Sequence, residues 1–227
     1  MVNKKIKLLI WGGGSNSRIV IDMIKDFKFK NISLDCIFDN TINNLSFETN
    51  VPFSKDINFL KKNIKNFTNF AVTIGNNYGF IRFSIAKQLI KLGLSPLSFI
   101  SQYSIIEKSS EIGDGSLIMP GAVVNKFCNI GSQCILNTNS SVDHECVIGH
   151  GVHVMPGSTI TGRVKIGDFS TIGSNSTILP DVKIGSNVFV GAGSVVTKNL
   201  SDNQIVVGAP AKLLKKIHNR HKFNFFK

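Results

Sequence analysis

From Ile106 to Val196 every sixth residue is aliphatic, and no step of the series fails. Ile112, Ile118, Val124, Ile130 and Leu136 continue it from Ile106, and Ile172, Ile178, Ile184 and Val190 lead to its end. Two places before each aliphatic stands a small or β-branched residue, among them Ser116, Ala122, Cys128, Cys134, Ser140, Cys146 and Val152. This is the pattern of a short strand in which two inward positions flank one outward position. An amphipathic helix would need a period of about 3.6, which is absent.

A longer period overlies the first. Gly113, Gly131, Gly149, Gly167 and Gly185 recur every eighteen residues, as do Gly121, Asn139, Gly157, Asn175 and Gly193. Gly and Asn accept a positive φ at a turn. Eighteen is three sixes, so each coil has three strands and three corners, and like stacks on like. Such a hexapeptide β-helix buries a continuous core only by stacking its coils.

The first hundred residues read differently. Leu8-Leu9-Ile10-Trp11 is a buried strand, followed by Gly12-Gly13-Gly14-Ser15-Asn16-Ser17 and an apolar helical pattern from Arg18 to Ile24. Strand, glycine turn and helix start form an anion site, because free N–H groups and the helix dipole converge there. Leu34–Phe38 is a second strand ending at Asp39-Asn40, where a ribose or base could be held. Phe70–Ile74 is a third, ending in Gly75-Asn76-Asn77, and Phe80–Leu92 is helical with Gly93 as its cap. Leu97–Ile100 is a fourth strand leading into the solenoid. Alternating β and α elements imply a small Rossmann-like parallel sheet with ligands at its C-terminal strand ends. The expected domains are therefore a Rossmann-like unit over 1–100, whose glycine turn either holds a nucleotide or packs without a ligand, the β-helix over 101–212 and a basic tail over 213–227. After Val196 the series stops, and the tail is expected as a short helix over the open end of the solenoid. His218, Arg220, His221 and Lys222 within it could contact a phosphate or remain solvated.

The formal charge of +12 over 227 residues points to an anionic partner. Basic residues are spread along the chain, so a phosphorylated small molecule fits and nucleic acid is not expected. No apolar run is long enough for a membrane span, and the Met1–Lys5 start lacks a signal-peptide core; a cytoplasmic location is expected. Cys128, Cys134 and Cys146 occupy inward small positions and read as core thiols, with Cys128 and Cys146 stacked one coil apart. No metal-ligand spacing occurs.

Outward positions of the repeat carry no packing duty, which singles out Asn137, His144, Glu145, His150 and His153. His144 lies at a corner and His153 at mid-strand, half a coil away, on the opposite side of the prism. Within one chain they cannot share a substrate, so a joint site requires an oligomer. A zinc site from His144, His150 and His153 is not expected, because their coil phases point them apart, and His150 reads as an exposed coil residue. His144 beside Glu145 suits a general base, since a carboxylate raises imidazole basicity and fixes its tautomer.

The stretch from Asn137 to Gly149, with the glycine turn, Ile74–Asn77 and the terminal Val207-Gly208-Ala209-Pro210-Ala211-Lys212, resembles a known family. It is similar to the left-handed β-helix acetyltransferases that modify sugars for bacterial surface glycans, in the branch of bacillosamine-type nucleotide-sugar N-acetyltransferases and sialic acid O-acetyltransferases. The resemblance implies a left-handed coil, a homotrimer and acetyl-CoA in the groove between neighbouring helices. It implies His144 as catalytic base with Glu145 supporting it. His153, Gly162, Ser174 and Ala192 would lie along the acetyl-CoA, and Asn137 near the acceptor sugar. Gly14, Ser15, Asn16, Asp39, Asn40 and Gly75 match the nucleotide-sugar site. Asn16 stands where the family commonly has histidine, and Ser17 where it has glycine. Tyr78, also a departure, could stack on a base or pack its helix. The expected activity is acetyl-CoA-dependent N-acetylation of a nucleotide-linked amino-deoxy sugar of the 4-amino-4,6-dideoxyhexose type, without a metal. The alternatives are O-acetylation of a sugar such as sialic acid, and a non-catalytic solenoid that binds sugar nucleotides.

Overall fold

The computed structural model describes residues 5–26 and 31–217. Strand β1 (Ile6–Trp11) is the centre of a five-stranded sheet with β2 (Ile32–Phe38), β3 (Phe53–Ser54), β4 (Asn69–Val72) and β5 (Ser95–Pro96). The order is β3-β2-β1-β4-β5, parallel throughout. Leu8, Leu9, Ile10 and Trp11 are all buried, as a continuous apolar run must be when both faces of a parallel sheet are covered. On one face Leu9, Trp11, Phe38 and Phe70 pack with Leu60 of α2 (Ile57–Asn63) and Ile85 and Leu89 of α3 (Gly79–Lys91). On the other, Leu8, Ile10 and Ile37 pack with Val20 and Ile21 of α1 (Ser15–Asp26), in one cluster with Leu117, Met119 and Ile135 of the solenoid.

Two expectations for this half need correction. Ser95–Pro96 is the strand that pairs with Asn69–Phe70, whereas Phe99–Ile100 pairs with Leu117–Ile118 and belongs to the solenoid. The third strand ends at Val72 rather than Ile74. Gly93 follows the last helical turn with φ +91, the left-handed conformation of a helix C-terminus.

The hexapeptide series folds as its phase requires. The aliphatics from Ile118 to Val196 form one buried stack, with Ile106 and Ile112 partly buried at its open end. Strands stack in parallel at intervals of eighteen residues, Ser141–Val142 on Val123–Val124 and under Thr159–Ile160, for example. The small positions do more than save space. The thiols of Cys128, Cys134 and Cys146 donate to the carbonyls of Asp143, Gly149 and Thr161, as the hydroxyls of Ser158, Ser170 and Ser176 donate to Gly173, Gly185 and Gly191. All four cysteines are free thiols.

Positive φ occurs at all three corners, not only at the Gly/Asn series. Phe127, Glu145, Arg163 and Asp181 take φ of 60–63° on one edge, and Gln133, Phe169 and Asn187 take 56–62° on another. An isolated residue held so costs about 1–3 kcal/mol; here stacking enforces it, the Glu145 N–H donating to Lys126 O at 2.9 Å. The other glycine series has a different cause. A Cβ at Gly113, Gly131 or Gly167 would lie 2.5–2.7 Å from the backbone of the next coil.

The expected helical cap is a strand. Gln204–Val207 lies parallel to Phe189–Val190, and Lys212–Lys216 folds back antiparallel on it. The edge left open by Gln204–Val207 offers unpaired ladder groups, which a returning strand satisfies and a helix would not. His218, Arg220, His221 and Lys222 lie outside the described residues.

Candidate active site

The three faces of the prism differ in what they point outward. On one, Phe99, Leu117, Ile135, His153 and Thr171 are buried beneath the sheet domain. The second presents Glu111, Asn129, Val147, Lys165 and Lys183, mostly exposed. The third presents Ile105, Val123, Ser141, Thr159, Thr177 and Val195, without a charge. The solenoid residues singled out from sequence fall on the two edges of this uncharged face, except for His153 and for His150, which lies on the third edge.

One edge carries His144, Glu145 and, one coil on, Gly162. The Glu145 carboxylate is 2.9 Å from His144 Nδ1. A carboxylate only accepts, so Nδ1 carries the proton and the lone pair is at Nε2. The left-handed backbone of Glu145 turns its side chain onto the ring. Asp143 completes the corner: its Oδ1 accepts from the His144 N–H and from Asn125 Nδ2, both at 2.8 Å. His144 Nε2 lies over Gly162, where a Cβ would come within 2.5 Å of it. Glycine is required there to leave the basic nitrogen room.

The other edge carries Asn137, Ser174 and Ala192. At each corner the middle residue turns its main-chain N–H away from the stack. Those of His144 and Thr138 are capped by the preceding side chain, Asp143 or Asn137. Those of Gly162, Ser174 and Ala192 have no partner among the described residues. The three residues matched to acetyl-CoA other than His153 thus share one property, a free backbone donor on an edge of the uncharged face.

His153 departs from expectation. It points away from the coil but is 3 % exposed, because the sheet domain covers it. Its Nδ1 donates to the carbonyl of Asn76 at 3.0 Å and its Nε2 faces Asn137 Nδ2 at 3.3 Å. Burial, and next the Arg82 guanidinium, push it down to about 4, against a smaller upward pull from the Asn76 carbonyl. It is a neutral ring with both nitrogens engaged, and offers no open nitrogen to a cofactor. Arg82, which carried no sequence signal, is fully buried and donates to Ile74 O, Gln133 O and Gly151 O at 2.7–2.9 Å. Burial lowers it to about 10, and it remains a cation. His150 is exposed, with its ring stacked 5.2 Å from Phe83 and its Nδ1 accepting from the Ser132 N–H.

At the C-terminal ends of β1, β2 and β4 opens a cleft of about 570 Å³. Gly14, Ser15 and Asn16 at the start of α1, Asp39 and Asn40 after β2, and Gly75 after β4 all line it. Asp39 is not free: Oδ2 accepts from the Gly13 N–H at 2.8 Å, and Oδ1 from the N–H and hydroxyl of Thr41. It braces the turn, leaving a ribose only its remaining lone pairs. Asn16 Nδ2 donates to Thr73 O at 3.1 Å and stitches α1 to the end of β4. Tyr78 lines the cleft and is 48 % exposed.

The family described as bacterial transferase hexapeptide (six repeats) matches residues 163–198. Perosamine N-acetyltransferase from Caulobacter crescentus, solved as a histidine-to-asparagine variant with CoA and GDP-perosamine, superimposes with a TM-score of 0.83 at 26% identity, covering 92% of this chain and 97% of that one. The acetyltransferase domain of PglB from Neisseria gonorrhoeae, in complex with acetyl coenzyme A, gives 0.81 at 28%, covering 92% and 100%. WeeI from Acinetobacter baumannii gives 0.79 at 27%, with the same coverage. The fold and these likenesses together define a CoA-dependent acyltransferase built on a left-handed parallel β-helix. Across 92% of its length the chain is similar to these acetyltransferases, and its solenoid carries the hexapeptide repeat.

Proposed function

We propose that the protein transfers acetyl from acetyl-CoA to the amino group of a nucleotide-linked amino-deoxy sugar of the 4-amino-4,6-dideoxyhexose type. The observation that carries this reading is His144 Nε2, its lone pair left open by the Nδ1–Glu145 hydrogen bond and poised beside the free N–H of Gly162. As the amine attacks the acetyl carbonyl, Nε2 takes its proton, and the Gly162 N–H donates to the oxygen that gains charge. When the C–S bond breaks, the imidazolium returns that proton to the leaving thiolate, so the products are the amide and CoA thiol. The free N–H groups of Ser174 and Ala192 supply donors for the amide carbonyls of the pantetheine arm. The cleft of the sheet domain takes the nucleotide, its phosphates toward the N-terminus of α1. That the solved perosamine enzyme is bound to a GDP-sugar supports the assignment of this cleft.

The site is completed by a second chain. His144 and Asn137 bound the same uncharged face from opposite edges, and that face shows Tyr103 at 67 % and Ile105 at 61 % exposure at its open end, and Phe127 at 65 % on its His144 edge. Packed around a threefold axis, three such faces bring the His144 edge of one protomer to the Asn137 edge of the next. A homotrimer of intersubunit sites follows. Four unpaired thiols suit a reducing, cytoplasmic setting. Thiol release from acetyl-CoA, measured with UDP-, dTDP- and GDP-linked amino sugars, tests the activity. Turnover with an amine acceptor is expected; release only with a hydroxyl acceptor, or none with any, would reject it.

A further inference from the structure

Two side chains from opposite sides grip the short segment Ile74–Asn76, which lines the cleft. Arg82 Nη1 donates to the Ile74 carbonyl at 2.8 Å, and His153 Nδ1 to the Asn76 carbonyl at 3.0 Å. Asn76 is held at φ 51, a conformation that asparagine tolerates but does not prefer. The other arms of Arg82 reach Gln133 O and Gly151 O, equivalent residues of successive coils. No carboxylate partners this guanidinium in the contacts of the described residues; it is satisfied by main-chain carbonyls alone. A buried cation retained at such desolvation cost beside a buried imidazole calls for a reason beyond packing.

The reason lies one bond further. With Nδ1 of His153 committed as donor, Nε2 can only accept, and it accepts from Asn137 Nδ2. The amide orientation is fixed independently, because Asn137 Oδ1 accepts from the Thr138 N–H at 2.8 Å and from the Thr138 hydroxyl at 3.4 Å. Asn137 is thereby left with one uncommitted group, the second N–H of Nδ2, on an edge of the uncharged face. It can offer a donor there and nothing else. A positive charge next to His153 opposes its protonation, which would place a second proton on Nε2 and expel the Asn137 N–H.

We propose that Arg82 is a positioning residue for acyl transfer: with His153 it clamps the cleft segment Ile74–Asn76 to the solenoid and presents Asn137 as a hydrogen-bond donor to the acceptor sugar or the acetyl oxygen. This rests on the activity proposed above. The clamp connects the cleft that selects the nucleotide to the edge where acetyl is transferred, so a sugar nucleotide seated in one is registered on the other.

Two measurements test it. In Arg82→Met, kcat with the sugar nucleotide should fall about tenfold to hundredfold, the loss expected for misplacing a reacting partner by about an ångström, while KM for acetyl-CoA stays unchanged. Arg82→Lys, which keeps the charge but not the fork, should recover part of the loss. A folded Arg82→Met protein with the wild-type kcat would overturn the proposal. The second measurement needs no variant: long-range ¹⁵N NMR of the imidazoles in the unmodified protein should show His153 protonated at Nδ1 and bare at Nε2 at neutral pH. A His153 protonated at Nε2 would overturn it, whether or not the Arg82 variants fold. If the wild-type protein transfers no acetyl at all, the functional reading fails, and the NMR result still decides the clamp.

Discussion

At the scale of single residues, the two histidines differ in whether a nitrogen is left open once the proton is placed. His144 has its lone pair at Nε2 and is open; His153 has its lone pair spoken for and is covered. His144→Ala should therefore lower kcat by about 10²–10⁴, the usual contribution of a general base, with binding of CoA by isothermal titration unchanged. Gly162→Ala keeps every polar group, yet its Cβ would lie 2.5 Å from His144 Nε2 and must displace the ring. It should cost more than about tenfold in kcat with little change in melting temperature. His153 makes a different prediction. Its folded value of about 4 lies below the ordinary 6.5, so between those values the unfolded chain binds the extra proton. Stability is then complete above pH 6.5 and is lost as pH falls toward 4, by roughly 3 kcal/mol in all. Melting temperature followed across that window should fall in the wild type and fall less in His153→Gln. The roles of the two histidines were unequally legible. The phase of the repeat alone puts His144 at a corner and His153 on a strand. The burial of His153 comes from docking of a segment 77 residues earlier in the chain, and Arg82 bonds to carbonyls 51 and 69 residues away. No local pattern encodes such a contact.

At the scale of elements, the solenoid was readable nearly strand by strand, because stacking makes each coil repeat the constraints of the last. The glycine series shows how far that reading went. One was expected to supply positive φ and does; the other supplies a close approach of backbones that spacing alone does not distinguish from it. Gly131→Ala, with its Cβ 2.7 Å from the carbonyl carbon of Gly149, should lower the melting temperature by several degrees, without the activity loss per folded molecule that Gly162→Ala produces. The sheet domain was legible in its longer parts only. β3 and β5 have two residues each, too few to show a period, and Pro96 reads as a breaker until its place at the sheet edge is known. The same brevity let Phe99–Ile100 pass for a strand of the sheet, although its pairing is to the solenoid. The terminal strand Lys212–Lys216 is lysine-rich and exposed, a composition that suits a helix or a guarded edge equally, and only the unpaired edge beside it decides.

At the scale of the whole molecule, the three faces divide the labour. One lies beneath the sheet domain and one is exposed to solvent, and the uncharged one is the face we propose to meet a second copy of the chain. This division follows from the repeat, since outward residues eighteen apart share a face and each face acquires one chemical character. His144 and Asn137 then fall on opposite edges of the same face, so the proposed site closes only between protomers. Complementation tests this most directly. His144→Ala and Asn137→Asp chains, each assembled alone, should be nearly inactive. Co-refolded or co-expressed in equal amounts, they should recover about one quarter of wild-type acetyl transfer, because in random trimers about one junction in four pairs an intact His144 edge with an intact Asn137 edge. Mixed trimers no more active than the two parent proteins would contradict an active site shared between chains.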